Sequence, residues 1–266
     1  MIPLRYCPIT IELELVQDST EPILSHLTGT EFTTTNTSVL WQIQNVQAKC
    51  DICTLDNQLD NSYAEHLLSG KALPINYNTY VSQMQTISSQ KVLLNITRAL
   101  SRLKSVFVTL DKVVTNENDF LGRKRWNTFY SPMHTFSNGS SNIFHQSGEF
   151  ETQLQIGSKL IPEYPIRSHA ESYYQLRKTL GHASSNIHNF DINAHEYRDH
   201  KMIIGLDCEK VLEAGFTGQN LRSGDIINVK FSHNSSTASN WGEQMHVVLH
   251  SDNLLEIRDS GVQVWD

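Results

Sequence analysis

The stretch DIINVKF, residues 225–231, sets Ile227, Val229 and Phe231 on one side of an extended chain and Asn228 and Lys230 on the other. A period of two is the mark of a strand with one buried and one wet face. The same signature recurs on both sides of it. Upstream, TIELELV at 10–16 alternates Ile11, Leu13 and Leu15 with Glu12 and Glu14, and INYNTYV at 75–81 repeats the pattern. SVLWQIQNV at 38–46 and FETQLQI at 150–156 read as strands, as do the short apolar runs VLLNI at 92–96 and SVFVTL at 105–110. Downstream come MHVVLH at 245–250, LLEIR at 254–258, the turn Asp259-Ser-Gly261, and VQVW at 262–265. KMIIGL at 201–206 is strand-like as well. Helical patterns are few: residues 60–68, capped by Asn61 or Ser62 and stopped by Gly70, a turn at 97–103, residues 209–214, and the segment YPIRSHAESYYQLRKTLG at 164–181.

About ten short strands without βαβ alternation and without an internal repeat predict an all-β sandwich of the eight-stranded jelly-roll type, with long loops and a flanking helix near 168–180. No linker interrupts the chain, so residues 1–266 are expected to form a single jelly-roll domain.

The 164–181 helix carries residue types that do chemistry, but its spacing assigns them structural work. His169 and Glu171 are two apart and diverge around a helix. Ser168 and Glu171 fit a capping box, and Gly181 fits the position after the last turn. Ala170, Tyr173, Tyr174, Arg177 and Leu180 share three- and four-residue spacing and form a candidate packing face. The tract 111–148 is too long for a plain loop. It holds Trp126, Phe129, Tyr130, Met133, Phe136 and Phe144. That aromatic content predicts an ordered excursion whose Trp126, Phe129 and Tyr130 pack against a neighbour.

Composition removes several function classes. The 266 residues carry a net charge of −7, and the densest basic cluster is Arg123-Lys124-Arg125. Direct nucleic-acid binding calls for a basic face. No run approaches the length of a membrane span. Residues 1–8, MIPLRYCP, lack the apolar core and cleavage site of a signal peptide. The sequons at Asn36, Asn95, Asn138 and Asn234 are therefore read as chance matches in a chain rich in Asn, Ser and Thr. The four cysteines Cys7, Cys50, Cys53 and Cys208 do not make a disulfide framework. Cys50 and Cys53 form a CxxC without the second pair of ligands that structural zinc requires.

A jelly roll can also carry a metal enzyme, with two histidines and a carboxylate as ligands. His250-Ser-Asp252 supplies an H-x-D, but no histidine follows Asp252, so the set is incomplete. The loop with His182, His188, Asp191, His195, Asp199 and His200 matches no metal-binding spacing. Nucleophile elbows and phosphate-binding glycine loops do not occur. The expectation is a protein without catalysis, cofactor or metal.

Three stretches taken together resemble one family: IPLRYCPITIELEL at 2–15, LQIGSKLIPEYPIRSHAESYY at 154–174, and the ending from MHVVLH at 245–250 through LEIRDSG at 255–261. They are similar to the double-jelly-roll major capsid proteins of Polinton-like and adenovirus–tectivirus-lineage double-stranded DNA viruses. The resemblance implies a viral structural protein. Two rolls per subunit build a homotrimer with a pseudo-hexagonal base, which meets neighbouring capsomers and penton or minor capsid proteins in the virion. It also implies a helix between strands F and G, where 168–180 falls. Two rolls need more chain than this, so the sequence is expected to be the C-terminal roll of a longer protein or a single-roll relative. The alternatives are a carbohydrate- or protein-binding jelly-roll module and, less favoured, a cupin-like metal enzyme.

Overall fold

The computed structural model describes residues 2–15, 40–111, 150–181, 191–199, 201–209, 218–221, 225–233 and 244–265. The tract 112–149, with Trp126, Phe129 and Tyr130, lies outside them, as do the segment expected to be helical at 210–214 and residues 182–190 and 200 of the histidine-rich loop. The chain divides into two compact units, residues 1–77 with 254–265, and residues 78–253.

Nine strands and three helices occur among the described residues. In chain order they are α1 (Asn57–Leu68), β1 (Leu73–Thr86), β2 (Lys91–Ile96), β3 (Leu103–Asp111), β4 (Phe150–Ile156), β5 (Lys159–Ile166), α2 (His169–Thr179), α3 (Ala194–Asp199), β6 (Ile204–Asp207), β7 (Ile227–His233), β8 (Gln244–Arg258) and β9 (Gly261–Trp265). One sheet runs β1-β8-β3-β6, with β9 added to β8, and the other runs β2-β7-β4-β5. Within these orders β1 lies beside β8, β2 beside β7, β3 beside β6 and β4 beside β5. This is one long antiparallel hairpin, folded back at the β4–β5 turn and rolled into two sheets. It is the jelly roll that the strand count predicted.

The rolling works because the alternation gives every strand one apolar face. In β7, Val229 lies between Leu94 of β2 and Leu154 of β4, and Ile227 lies between Ile96 and Ile156. These side chains are almost wholly removed from water. Their partners in the core include Val106, Val108 and Leu110 of β3, Ile204 and Leu206 of β6, and Met245, Val247 and Leu249 of β8. The opposite face of the second sheet is polar except for the exposed Leu93: Lys230 stands between Leu93 and Gln153, and Ser232 between Lys91 and Glu151.

Several expectations are corrected. TIELELV forms no strand over its described part: residues 10–15 are exposed and without assigned secondary structure. The same holds for 42–46, so the strand expected at 38–46 is not formed over its described part. Alternation announces a strand only where a partner edge exists. Residues 97–100 make no helical turn. Leu100 is buried, and its carbonyl accepts from Leu221 N at 2.8 Å. The helix expected at 60–68 begins earlier, with Asp56 as its cap, whose Oδ1 accepts from Leu59 N at 2.8 Å.

The strands read at 245–250 and 254–258 are one strand, β8. The polar triplet Ser251-Asp252-Asn253 looked like a break but is satisfied in place. Asp252 N donates to Arg102 O at 3.1 Å, and its carboxylate lies 3.7 Å from Lys104 Nζ. Two elements have no clear pattern in the sequence. Strand β5 was hidden by Pro162 and Pro165, and α3 by its loop-like composition.

Candidate functional site: the flanking helix and its strand

Helix α2 starts and stops where its sequence says. Ser168 Oγ accepts from Glu171 N at 3.1 Å. Glu171 Oε2 accepts from Arg167 N at 3.1 Å, so the reciprocal bond reaches one residue beyond the cap. At the other end Gly181 has φ +73°, a left-handed conformation that needs glycine, and its N–H donates to Lys178 O at 3.0 Å.

The face that α2 turns inward is built on Ser172 and Leu176, both essentially inaccessible to water. It lies against β6 at Gly205, where an added Cβ would stand 3.0 Å from both Leu176 Cα and Thr179 Oγ1. Glycine therefore sets the closeness of helix and strand. A buried polar chain fastens the contact. Ser172 Oγ and Tyr197 Oη are 2.6 Å apart, and Tyr197 donates onward to Ile203 O at 2.7 Å. Burial raises the Tyr197 phenol well above its ordinary range, so it remains a donor. Lys178 Nζ reaches the largely buried Asp207 carboxylate of β6 at 3.5 Å.

The face read from spacing is thus divided. Tyr173 borders the inward side: its hydroxyl donates to Ile192 O at 2.8 Å and its ring meets Tyr197 edge-on at 5.2 Å. Arg177 is half-buried. Ala170, Tyr174 and Leu180 point to water, with Tyr174 58% and Leu180 38% exposed. The side that α2 turns inward is centred on a serine, Ser172, outside the five-residue face that the spacing marks.

Just before α2, β5 leaves the sheet and returns. Thr152 pairs with Ile166 but Leu154 with Ile161, so the chain at Pro162–Pro165 is surplus and bulges out. Gln153 makes the bulge possible, its Nε2 donating to Pro162 O at 2.9 Å and Glu163 O at 3.1 Å. Tyr164, at the bulge, is 77% exposed. The bulge and the outer side of α2 thus present two tyrosines, Tyr164 and Tyr174, to solvent in adjoining stretches of chain.

Several described titratable side chains elsewhere are engaged in structure. His250 stacks on Tyr80 at 4.7 Å, and its Nδ1 lies 3.0 Å from Ser105 Oγ. Burial, reinforced by Lys104, lowers its pKa, and Asp252 offsets this only in part. Lys104 Nζ also reaches Glu209 at 3.3 Å, yet burial outweighs that attraction and raises the Glu209 carboxyl. Burial likewise raises the Cys208 thiol, keeping it protonated and unreactive. Cys50 and Cys53 are exposed and unpaired with each other. Among the described residues no group of three His, Cys, Asp or Glu side chains is placed to hold a metal ion. Also among them, no helix is long and apolar enough to cross a membrane. A shallow cleft of about 290 Å³ opens on the outer face of the second sheet between Lys91, Lys230 and Glu151.

No family model matches the sequence, and no curated protein matches it. Fifteen chains of solved structures do. One is PBCV-1 VP54 as fitted into a cryo-EM reconstruction of the virophage Sputnik. It is 9% identical, with a TM-score of 0.45, over 80% of this chain and 55% of that one. Another is a quasi-atomic model of the PBCV-1 virus capsid, 10% identical, with a TM-score of 0.43 over the same shares. The chain spans about half the length of these structures. The jelly-roll assignment rests on the strand order, not on these likenesses.

Proposed function

We propose that this chain is one jelly roll of a viral major capsid protein, a non-catalytic building block of trimeric capsomers in an icosahedral shell. The observation that carries the reading is the position of α2. Helix α2, the longer of the two described helices in the β5–β6 connection, packs on β6 inside and shows Tyr174 and Leu180 outside. The two sheets enclose an apolar core cluster that includes Val106, Leu154, Val229 and Val247. A flanking helix with an aromatic outer side suits packing against a second roll or a neighbouring subunit, since exposed aromatic residues anchor interfaces.

The reading extends to the lineage of Polinton-like and adenovirus–tectivirus double-stranded DNA viruses. In it, this chain is the C-terminal of two rolls. The partners are two further copies, adjacent capsomers, and penton or minor capsid proteins, and the location is the virion. Tyr173, Tyr174, Arg177 and Leu180, with Trp126, Phe129 and Tyr130, are the proposed packing residues.

Size-exclusion chromatography coupled to light scattering tests the proposal on protein from the complete gene. A mass three times that of the subunit is expected. A monomer at high concentration, or iron or zinc bound stoichiometrically, would overturn it. Glycan binding without self-association would favour the ligand-binding module instead.

A further inference from the structure

The strand register sets out the cleft on the outer face of the second sheet. Lys91 of β2 pairs with Ser232 of β7, and Leu93 pairs with Lys230. The two lysines thus occupy one diagonal of a four-residue patch, with Leu93 and Ser232 on the other. Across β7, Ser232 pairs with Glu151 and Lys230 with Gln153 of β4, and all six residues line the cleft. Its charges do not cancel. Glu151 Oε2 accepts from Arg167 Nε at 3.2 Å, so that carboxylate is already met within the chain. Neither Lys91 nor Lys230 makes a side-chain hydrogen bond or an ion pair among the described residues. The cleft therefore carries two uncompensated positive charges, on a chain whose net charge is −7.

We infer that this cleft docks an extended acidic segment of a partner protein, with carboxylates at alternate positions. Diagonal neighbours across an antiparallel pair stand about 7–8 Å apart. An extended chain advances about 3.4 Å per residue and turns every second side chain to the same face, so carboxylates two residues apart are spaced by about 7 Å. One such segment reaches Lys91 and Lys230 together, and the residue between its carboxylates points away. Leu93, 52% exposed at a corner between the lysines, offers an apolar surface to the methylenes of glutamate side chains, which a small inorganic anion would leave unused. Complementary charge of this kind fixes orientation and partner choice more than it adds affinity.

Fluorescence anisotropy of two labelled peptides, TETET and TEETT, tests this on the full chain at low ionic strength, where exposed charges are least screened. The peptides have the same composition and charge, but in the extended form only TETET turns both carboxylates to one side. It is expected to bind about threefold more tightly than TEETT, the scale of one exposed ion pair. Lys91→Gln and Lys230→Gln should each erase that preference without changing the melting curve. Lys71→Gln, at an exposed lysine outside the cleft, should leave it intact. Lys91→Glu combined with Lys230→Glu should reverse the charge requirement, so that TKTKT binds more tightly than TKKTT.

Equal affinity for TETET and TEETT would overturn the inference. So would a preference that survives both glutamine variants, or one that Lys71→Gln removes as well. Inorganic phosphate that displaces TETET at equal concentration would also overturn it, reducing the cleft to a site for small anions. The inference stands on the cleft and its charges, so its failure leaves the capsid reading untouched.

Discussion

Replacing Gly205 by alanine should destabilise the protein, against the usual sign for a glycine in a strand. Where space and backbone allow, Gly→Ala stabilises by about 0.4–1 kcal/mol, because the unfolded chain loses freedom. At Gly205 the new methyl would meet Leu176 Cα at 3.0 Å, Thr179 Oγ1 at 3.0 Å and Thr179 Cβ at 3.1 Å. Those distances are several tenths of an ångström inside ordinary contact, and one of the atoms is backbone, so α2 must move as a body. Overpacking of this kind costs about 1–3 kcal/mol. Net of the entropic gain, a loss of about 1–2 kcal/mol is expected. For a chain of this size that lowers the melting midpoint by roughly 2–8 °C.

Thermal melts followed by far-ultraviolet circular dichroism, with urea titrations alongside, would measure it. Adding Thr179→Ala removes one of the obstructing atoms. The double variant should therefore recover part of the loss, a non-additivity expected only between touching sites. An alanine variant as stable as the parent would refute the claim that glycine sets the distance between α2 and β6.

Three further outcomes are expected. Tyr197→Phe strands the Ile203 carbonyl and the Ser172 hydroxyl and should cost about 1–3 kcal/mol. With Ser172→Ala added, the total should fall short of the sum in a double-mutant cycle; strict additivity would deny that Ser172, Tyr197 and Ile203 act as one chain. Ser168→Ala should cost about 1 kcal/mol in urea unfolding through loss of the α2 cap, and no change would remove that bond from the account.

Stability should also fall as the pH drops below about 6.5, the ordinary histidine value. Burial depresses His250 and His233 in the folded state, so the unfolded chain takes up protons first. The stabilisation is complete above the unfolded value and is lost as the pH falls toward the folded one. Glu209, raised by burial and set against Lys104 with Asp252 nearby, acts in the opposite sense at lower pH, so the titration should stay above pH 5. His250→Phe should flatten the urea-midpoint profile over that window, and a parent profile already flat there would refute the linkage.

What the residues disclosed followed their chemistry. Strands with one apolar face, such as 92–96, 150–156 and the one read at 225–231 and formed at 227–233, were readable because burial repeats every second residue. Helix α2 was readable from Ser168, Glu171 and Gly181, which act through local backbone bonds. What failed depended on partners elsewhere in the chain. Residues 10–15 show the alternation of a strand but pair with no edge among the described residues. Residues 159–166 form an edge strand despite two prolines, because Gln153, on the neighbouring strand, satisfies the carbonyls of the bulge. The inward side of α2 was not legible because the serine at its centre, Ser172, finds its partner in Tyr197, 25 residues away. Gly205 carried no signal at all until the helix was seen lying on it.

The nested pairing of the strands also orders the sheets in time during synthesis. The sheet β2-β7-β4-β5 has all its strands once residue 233 has been made, whereas in the other sheet β8 stands between β1 and β3. Until residues 244–258 leave the ribosome, β1 and β3 have no strand between them, and their inward side chains cover only one wall of the future core. The nascent chain must therefore hold a half-built sandwich, its apolar face open, while β8 is translated. Pairings this distant in sequence form slowly, so the interval is when the growing chain is most exposed to wrong partners, including identical chains on the same message.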